Sequence, residues 1–449
     1  MNPIVVGGGF AGLAAACRLA GDGHPSLLFE RASRLGGRAG AFHDVSLDET
    51  VDLGHHVLMN CCTAARGFLH RIDADRLLKI QPTLSIPVRG RTRCTALRSS
   101  LFPGPMHLIP SLLRYSPLSV SQRLAALPAA AALLAARDER LNPFTFKRWL
   151  TTHGQSADAV ERLWDPICIA TLNAPSRAVG AQDARMVFAE AFFRHGGANL
   201  GLFDAPLSDV ASAAVDYLVA RGGIVETGTA VRRIVVETNT VRGVELSDGR
   251  VIESSAAVCA VPPEALAALV ADVPSLLPTV QRAQQLTWAP IVNVHLWFDR
   301  PVMEDPFFVT VDAPIQAVFD VSQLHASSVP HALFHVVVSQ SAAGDWMERT
   351  DDAITSIVRD ALGWLAPKTG NADLMHVRVV RRPRATFVPA PGAHAFRPSS
   401  ATPVRGLTLA GDWTATGWPS TLESAVRSGI AAAARLNLEP VSPAGSVDR

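Results

Sequence analysis

Residues 3–30 read PIVVGGGFAGLAAACRLAGDGHPSLLFE, and this stretch decides the fold. Its first residues, Ile4 to Val6, are uncharged and apolar, which predicts a strand that is buried on both faces. The small residues from Ala11 to Ala20 predict a helix, and the run from Ser26 to Phe29 predicts a second strand. A strand, a helix and a second strand in this order predict the start of a Rossmann-like α/β domain.

Three glycines and one acid in the same stretch predict dinucleotide binding. Gly7, Gly9 and Gly12 have the G-x-G-x-x-G spacing. In this motif the first glycine permits a tight turn, the second lets a pyrophosphate approach the backbone, and the third lets the helix pack closely on the strand. The N–H groups at the start of the helix then face the phosphates. Glu30 stands where a carboxylate accepts hydrogen bonds from an adenosine ribose.

A second glycine pair, just downstream, selects the nucleotide. Residues 34–38 read RLGGR. The pair Gly36 and Gly37 resembles the one that FAD-binding amine oxidases and carotenoid-type desaturases place beside the pyrophosphate. Arg38 would add a fixed positive charge at that place. An ordinary glycine turn is the alternative, and we predict FAD as the cofactor.

The composition describes a globular and unusually apolar chain. Of its 449 residues, 48% are hydrophobic and 18% are charged, which excludes intrinsic disorder and allows two or three lobes with substantial cores. A net charge of +1 gives no reason to expect nucleic acid as a partner. The six cysteines form no C-x-x-C pair and no disulfide-like pattern, and we predict no metal site. Without a leader sequence or an uncharged apolar stretch of about 20 residues, we expect a reduced, intracellular protein.

Two adjacent histidines, His55 and His56, follow at a distance that suits a strand returning to the cofactor. Adjacent histidines are usually surface residues or hydrogen-bonded core residues. If their loop reaches the flavin, His56 becomes a candidate proton donor, because its unperturbed pKa lies near neutrality.

A basic and apolar segment occupies residues 76–137. It contains nine Lys or Arg residues and no Asp or Glu. Its central part, Leu108 to Ala136, is strongly apolar, and we expect Pro110, Pro117 and Pro128 to break it into short helices. Such a segment suits a protein that lies on an anionic membrane surface. A buried helical cap with basic edges is the alternative, and the two can hold together.

The next segments differ in their periodicity. Trp149 to Arg194 is interpreted as further helical cap, and within it Cys168 has no base partner at a fixed spacing, so we expect a core thiol. Strand-like runs from Gly222 to Pro263 return the chain to the nucleotide domain. Pro290 to Val380 supplies more strands and one helix, from about Asp351 to Leu365, which together predict a sheet-based substrate lobe.

The C-terminal segment closes the nucleotide domain. Leu407 to Ala410 is predicted to be a strand, and Gly411 and Asp412 form its turn. Ser420 to Glu423 is interpreted as a capping box that opens an alanine-rich helix to Arg435. The positive end of this helix would stabilise an anionic reduced flavin, and Asp412 would hold the ribityl chain.

These segments predict an α/β fold, a Rossmann-like FAD-binding domain of the amine-oxidase type with a discontinuous α+β substrate domain and a helical, membrane-facing cap. The FAD-binding domain takes residues 1–75, 206–285 and 404–437. The substrate domain takes residues 76–205, with the cap, and residues 286–403. Residues 438–449 are predicted to be a flexible tail.

Two longer segments carry a more specific resemblance. Residues 164–173, WDPICIATLN, and residues 417–429, GWPSTLESAVRSG, resemble hydroxysqualene dehydroxylases, also called squalene-associated FAD-dependent desaturases. The glycine motifs, the segment near Val231 and residues 411–429 resemble the wider superfamily of flavin amine oxidases and phytoene desaturases. One departure is His55, because the family pattern has glutamine before the matching His56.

The resemblance implies that hydroxysqualene is reduced to squalene with loss of water, as hydride passes from the reduced flavin to an allylic cation in hopanoid synthesis. An acid must protonate the departing hydroxyl. His56 is the first candidate and Asp165 the second, whereas Glu423 is less suited because the capping box occupies it. The resemblance also extends the predicted FAD contacts to Phe10, Ala11, Arg31, Gly54, His55, His56, Val231, Gly411, Pro419, Thr421 and Leu422.

Three hypotheses for function follow. The first is reductive dehydroxylation of a triterpene alcohol, and the second is desaturation or oxidation of a carotenoid-like or amine substrate. The third is a flavoprotein without enzymatic activity that presents lipid to a partner. The chain has only two tyrosines, Tyr115 and Tyr217, and the pair Trp418 and Pro419 stands where an amine oxidase would show its aromatic cage residue. Together with the basic, apolar cap, this suits a water-insoluble hydrocarbon better than a polar amine. No second G-x-G-x-x-G motif follows, so we expect a separate electron donor, a hydrophobic substrate and a membrane surface as partners, at the cytoplasmic face of the cell membrane.

Overall fold

The structure is a computed structural model that describes residues 2–325, 333–436 and 438. Its strands, in chain order, are β1 (Ile4–Val6), β2 (Leu27–Glu30), β3 (Ala41–Asp44), β4 (Glu49–Asp52), β5 (Val57–Met59), β6 (Leu78–Ile80), β7 (Ser85–Arg89), β8 (Cys94–Arg98), β9 (Leu200–Phe203), β10 (Ile224–Thr227), β11 (Val231–Glu237), β12 (Thr240–Leu246), β13 (Val251–Glu253), β14 (Ala257–Cys259), β15 (Trp288–Phe298), β16 (Phe307–Thr310), β17 (Ala317–Asp320), β18 (Phe334–Ser341), β19 (Leu374–Phe387) and β20 (Leu407–Leu409).

The α-helices are α1 (Phe10–Gly21), α2 (Thr63–Arg71), α3 (Ile109–Leu113), α4 (Val120–Ala135), α5 (Asp138–Leu141), α6 (Phe146–Thr152), α7 (Ala157–Ala159), α8 (Asp165–Leu172), α9 (Ala181–Val187), α10 (Leu207–Val219), α11 (Pro263–Leu269), α12 (Leu277–Ala283), α13 (Val321–Leu324), α14 (Asp351–Leu365) and α15 (Leu422–Ala434). Two π-helical segments, Val160–Trp164 and Phe188–Phe192, continue α7 into α8 and extend α9.

A five-stranded parallel sheet with the order β10-β2-β1-β14-β20 forms the nucleotide domain. All three residues of β1 are buried, as expected for a strand that is covered on both faces. Helix α1 consists mainly of small residues, so α15 packs closely against it; a Cβ at Gly429 would lie 2.1 Å from the carbonyl oxygen of Ala11. Strands from three distant parts of the chain therefore build one sheet, and the Rossmann-like fold class is confirmed.

A seven-stranded sheet with the order β19-β15-β18-β17-β16-β7-β8 forms the second lobe. Val292, Val294 and Leu296 of β15 belong to a buried cluster that includes apolar residues of α14. The alternate residues of β15 point to the other face of the sheet. There the Asn293 side chain donates a hydrogen bond to the carbonyl oxygen of Leu53, and the His295 ring packs edge-to-face with the Phe42 ring. This second face of β15 therefore abuts residues 40–56, which follow the second glycine pair.

Of the prolines that were expected to break segment 108–136 into short helices, Pro117 lies between α3 and α4 as predicted, whereas Pro128 departs from the prediction. Helix α4 runs from Val120 to Ala135 with Pro128 inside it. Ser119 and Gln122 form a capping box at its start, and Ala126, Ala129 and Leu133 are buried. The cap and the buried face stabilise the helix enough to tolerate the one backbone hydrogen bond that Pro128 cannot donate.

Several predicted bounds shift by a few residues. The predicted helix Asp351 to Leu365 has the same bounds in α14, whereas β19 continues to Phe387, past the predicted end of the strand region at Val380. The predicted tail, residues 438–449, lies outside the described residues except for Leu438. Across the described ranges, none of the helices is both long and apolar enough to span a bilayer.

Candidate active site

The turn between β1 and α1 depends on two glycines. Gly7 has φ +105°, which favours glycine, and a Cβ there would lie 2.7 Å from the carbonyl oxygen of Ala260. A Cβ at Gly12 would lie only 1.9 Å from the carbonyl oxygen of Gly7. These contacts bring the start of α1 directly onto the end of β1.

Gly9, in contrast, borders open space. The nearest atom to its Cβ position is the Cα of Gly37, at 3.8 Å. The Gly36 amide donates to the carbonyl oxygen of Gly8 at 2.9 Å, which holds the second glycine pair against the first. None of the described side chains caps the N-terminus of α1, so its first amides point to a ligand space. The open space at Gly9 lies beside the free amides of α1, and this combination fits a pyrophosphate.

Glu30 ends β2 beside this turn. Its carboxylate accepts hydrogen bonds from the amides of Gly8, at 2.7 Å, and Ala32, at 2.8 Å. Two backbone donors fix the orientation of the carboxylate and leave further lone pairs for a ribose. The position fits the role that the sequence predicts for Glu30.

Arg38 and Asp412, for which the sequence predicts separate contacts with the cofactor, form an ion pair. The Asp412 carboxylate is buried and accepts hydrogen bonds from Arg38 Nη2 and Ser420 Oγ, while Arg38 Nη1 donates to the carbonyl oxygen of Ala385 at 3.0 Å. Arg397 donates from Nη2 to the carbonyl oxygen of Asp412 at 3.0 Å. Burial lowers the pKa of Arg397 to about 10, so it remains charged at neutral pH. The Asp412 carboxylate thus already accepts from two side chains, Arg38 and Ser420, in addition to the role predicted for it at the ribityl chain.

The capping box predicted at Ser420 to Glu423 is wrong. The N-cap of α15 is Thr421, and its hydroxyl accepts a hydrogen bond from the amide of Ser424 at 3.2 Å. Since Thr421 starts the count, the residue at the capping-box position is Ser424 and not Glu423.

Glu423 instead caps a different helix. Its fully buried carboxylate accepts hydrogen bonds from the amides of Ala64, at 3.1 Å, and Ala65, at 2.7 Å, in the first turn of α2. Arg427, one turn further along α15, donates to it at 2.6 Å. The acid therefore links α15 to α2 across a distance of 359 residues in sequence.

His56 lies in the loop Leu53–His56, here called the histidine loop. Its Nδ1 lies 2.8 Å from the carbonyl oxygen of Gly54. A carbonyl only accepts, so Nδ1 carries the hydrogen and Nε2 of the neutral ring is a proton acceptor. Burial lowers the pKa of His56, and the hydrogen bond to Gly54 partly opposes this effect. The geometry thus makes His56 a group that must first gain a proton before it can donate one at Nε2.

His55 points to a more enclosed place. Its ring packs on Phe319 with centroids 4.5 Å apart, and the ring of His325 lies at 6.1 Å. Burial lowers the pKa of His55 well below its ordinary value, so the ring is neutral. Its Nε2 is buried and has no hydrogen-bond partner among the described residues.

Asp165 begins α8 at the wall of the same cavity. Its Oδ1 accepts a hydrogen bond from the amide of Ser176 at 2.6 Å, which fixes the carboxyl group. Cys168, one turn later, is fully buried, and burial raises the pKa of its thiol well above the ordinary value. This environment fits the core thiol that was predicted.

A single cavity of about 1680 Å³ brings most of the predicted residues together. It does not include Gly12, which packs on β1, or Pro419. The predicted residues that line it are Gly7, Gly9, Phe10, Ala11, Glu30, Arg31, Gly36, Gly37, Arg38, Gly54, His55, His56, Asp165, Val231, Gly411, Asp412, Thr421 and Leu422.

Sequence reasoning missed many of the polar groups in the wall of this cavity, for example three on the second sheet. Asn293 of β15, Ser339 of β18 and Arg382 of β19 all line it. Arg382 is partly buried, and burial, together with the charge of Arg38, lowers its pKa. Asn293 and Ser339 lie in strand-like runs, and Arg382 lies just past the last predicted strand. Only the register of the sheet turns these side chains towards the cavity, so no local motif marks them.

The chain matches the family described as "Flavin containing amine oxidoreductase" over residues 10–437. It is 26% identical to a 15-cis-phytoene desaturase of Glycine max, over 96% of this chain and 78% of the relative. It is 27% identical to a hydroxysqualene dehydroxylase of Sinorhizobium fredii, over 96% of this chain and 97% of the relative.

Solved structures share the fold. An oxidoreductase from Methanosarcina mazei superposes with a TM-score of 0.75 at 18% identity, covering 96% of this chain and 99% of the other. A cyclohexylamine oxidase from Brevibacterium oxydans gives a TM-score of 0.68 at 18% identity, with 97% and 98% covered.

The fold and the site define an FAD-dependent oxidoreductase. The protein belongs to the flavin-containing amine oxidoreductase family, within the superfamily of flavin amine oxidases and phytoene desaturases. The cofactor prediction is confirmed: it is FAD. The open cradle at Gly9, the free amides of α1 and the fixed carboxylate of Glu30 fit its dinucleotide part.

Proposed function

We propose that the protein removes the hydroxyl group of hydroxysqualene by FAD-dependent reduction and so forms squalene and water. The observation that carries this proposal is a group of polar side chains at one place in a largely apolar cavity, where His55, His56 and Asn293 lie together around Gly54. A pure hydrocarbon would leave these polar groups without partners, which is unfavourable. An isoprenoid alcohol has one polar group to offer them.

The size of the cavity supports a large ligand beside the cofactor. Its volume of about 1680 Å³ exceeds the roughly 300–1,000 Å³ that is usual for a single small-molecule site. Apolar side chains, such as those of Ile167, Ile291 and Phe307, line this cavity together with the glycine turn. The 27% identical hydroxysqualene dehydroxylase of Sinorhizobium fredii supports the same class of substrate.

The proposed reaction consumes two electrons and two protons for each alcohol. Bound FAD, when reduced, supplies hydride. The residues of this chain must deliver the other proton to the hydroxyl oxygen as the C–O bond breaks, so that the oxygen leaves as water. His56 does this from Nε2 after it has gained a proton, while the Gly54 carbonyl holds Nδ1. Asp165, fixed by the Ser176 amide, is the alternative donor.

A second candidate is desaturation of a carotenoid-like hydrocarbon, with hydride moving in the opposite direction. The 26% identity to the phytoene desaturase of Glycine max favours it as strongly as the other relative favours dehydroxylation. One anaerobic experiment separates the two. Chemically reduced protein mixed with hydroxysqualene should return to the oxidised flavin spectrum and yield one squalene per flavin. Bleaching of the oxidised protein by phytoene, without squalene formation from the alcohol, would refute our proposal.

We also propose that segment 76–137 rests on an anionic membrane surface, where the substrate would dissolve. Seven large apolar side chains of this segment are exposed: Leu101, Phe102, Met106, Leu113, Val120, Leu124 and Leu134. Arg91, Arg98 and Arg114 are exposed among them, which gives charge complementarity to acidic lipids. A separate electron donor at the cytoplasmic face would complete the cycle.

A further inference from the structure

One amide at the cavity wall has an unmatched acceptor. Asn293 is 4% exposed and lines the cavity, on the face of β15 that meets the histidine loop. Its Nδ2 donates to the carbonyl oxygen of Leu53 at 3.0 Å. A carbonyl only accepts, so this bond fixes which end of the amide is nitrogen. Oδ1 therefore faces away from Leu53, and it has no donor among the described residues.

The loop is shaped to accommodate this amide. A Cβ at Gly54 would lie 2.3 Å from Nδ2 and 3.0 Å from Oδ1 of Asn293. Only a residue without a side chain lets the amide lie flat against the loop. The same glycine precedes His55, so the unmatched acceptor and the histidines share one corner of the cavity.

Two further groups complete this corner. His55 has a neutral ring whose Nε2 is buried without a partner in the part of the chain that is described. Ser339 stands directly opposite Asn293 in the antiparallel pairing of β15 with β18, and it lines the cavity. Phe319, Ile291 and Ala317 surround these groups with apolar surface. Asn293 is thus linked to His55 through the contact with Gly54 and to Ser339 through the strand pairing, and all three residues line the same largely apolar cavity.

We propose that Asn293, with His55 and Ser339 beside it, binds the hydroxyl group of an isoprenoid alcohol. The hydroxyl hydrogen is donated to Asn293 Oδ1, and the hydroxyl oxygen accepts from the Ser339 hydroxyl or from an N–H of the neutral His55 ring. The apolar walls hold the hydrocarbon chain. The name of the alcohol rests on the proposed function, whereas the recognition of a hydroxyl group rests on this corner alone. Asn293 thus contacts the substrate directly and fixes where its carbon–oxygen bond lies.

Equilibrium binding tests the assignment without turnover. FAD-loaded, oxidised protein is titrated with hydroxysqualene and with squalene in the absence of a reductant, and each Kd is read from the change in flavin absorbance. The ratio of the two Kd values measures recognition of the hydroxyl. In the Asn293→Leu variant the preference for the alcohol should fall roughly five- to tenfold, the usual contribution of one hydrogen bond, while squalene binds as in the wild type.

A milder variant guards against loss of folding. Ser339→Ala keeps the Asn293 amide and its bond to Leu53, and it should lower the preference for the alcohol roughly two- to fivefold. Equal weakening of both ligands, an unchanged ratio in both variants, or no binding of either ligand would overturn the assignment. A hydroxyl group of FAD, instead of the substrate, is the other group that could form these hydrogen bonds. Loss of FAD from both variants, with the preference intact after FAD is restored in excess, would assign the corner to FAD and overturn our proposal.

The binding test also separates the two proposals. A protein that prefers the alcohol but forms no squalene after reduction would refute the proposed function and leave the hydroxyl site standing. Conversely, if both variants form squalene and bind hydroxysqualene with wild-type affinity, the hydroxyl site is refuted and the proposed function stands.

Discussion

Replacing Gly9 with alanine should separate the fold from the cofactor. Gly9 has φ −74° and ψ 174°, where alanine is unstrained, and the nearest atom to the new methyl group lies 3.8 Å away. The protein without FAD should therefore keep its free energy of unfolding, or gain about 0.4–1 kcal/mol because the unfolded chain loses freedom.

The same methyl group occupies the space in which a phosphate would approach the amides of α1. Loss of one hydrogen bond to a charged group costs about 1.5–3 kcal/mol, which corresponds to a Kd for FAD that is roughly 10- to 150-fold higher. The Kd is measured by quenching of FAD fluorescence on titration with the apoprotein, and the free energy of unfolding by urea denaturation of the same preparation.

Gly12→Ala is the matched control. Its methyl group would lie 1.9 Å from the Gly7 carbonyl oxygen, so that variant should lose stability and FAD together. If Gly9→Ala binds FAD within about threefold of the wild type, the pyrophosphate does not lie at this turn and the argument from the open cradle fails.

Four further predictions concern Glu423, His56, the attachment of FAD and segment 76–137. Glu423→Ala should lower the free energy of unfolding by about 3–5 kcal/mol, because it removes the acceptor of two α2 amides and the carboxylate that pairs with Arg427. Glu423→Gln should cost less, and a loss below about 1 kcal/mol in urea denaturation of the Ala variant would contradict this. Burial lowers the pKa of His56, so turnover that needs its protonated ring should rise as the pH falls below about 6.5. His56→Ala should keep FAD but lose both turnover and this dependence on pH. Full activity of that variant would instead assign proton donation to Asp165, which Asp165→Asn then tests. Acid precipitation should release all the yellow colour, because we expect no covalent link between FAD and the protein. Cys62 is the cysteine that lines the cavity in the described chain, and its hydrogen bond to Cys61 and its burial raise the pKa of its thiol, which disfavours the reactive thiolate. Colour in the pellet would show a covalent link. Flotation with anionic liposomes should exceed flotation with neutral ones and weaken with salt, and equal flotation would leave segment 76–137 as an internal cap only.

Local patterns predicted the parts of the fold that depend on neighbours in sequence. The glycine turn at Gly7, Gly9 and Gly12 follows from spacing alone, and α14 starts after the cap that Thr350 provides. Partners that are distant in sequence could not be predicted. Glu423 resembled a local capping acid because the helix that it caps lies 359 residues away.

The missed cavity residues have a related cause. Asn293 sits in an apolar strand-like run, and only its pairing with β18 and its bond to Leu53 reveal its orientation. Pro128 was expected to end a helix, since proline lacks a backbone donor. The capping box at Ser119 and the buried face of α4 outweigh that loss. Tertiary contacts decide each of these cases, and a single sequence does not contain them.

The link between α15 and α2 has a consequence for how the chain matures on the ribosome. The first amides of α2 and the apolar face of α1 emerge early, but Glu423 and α15 are translated last among the described elements. At a usual rate of about 5–20 residues per second, the nascent chain waits roughly 20–80 s between residues 30 and 422. During that interval the sheet lacks its edge strand β20, and α1 lacks α15, the helix that packs closely against it in the folded protein. We therefore expect flavin capture to be a post-translational event, and premature stops before Glu423 to yield chains that chaperones retain.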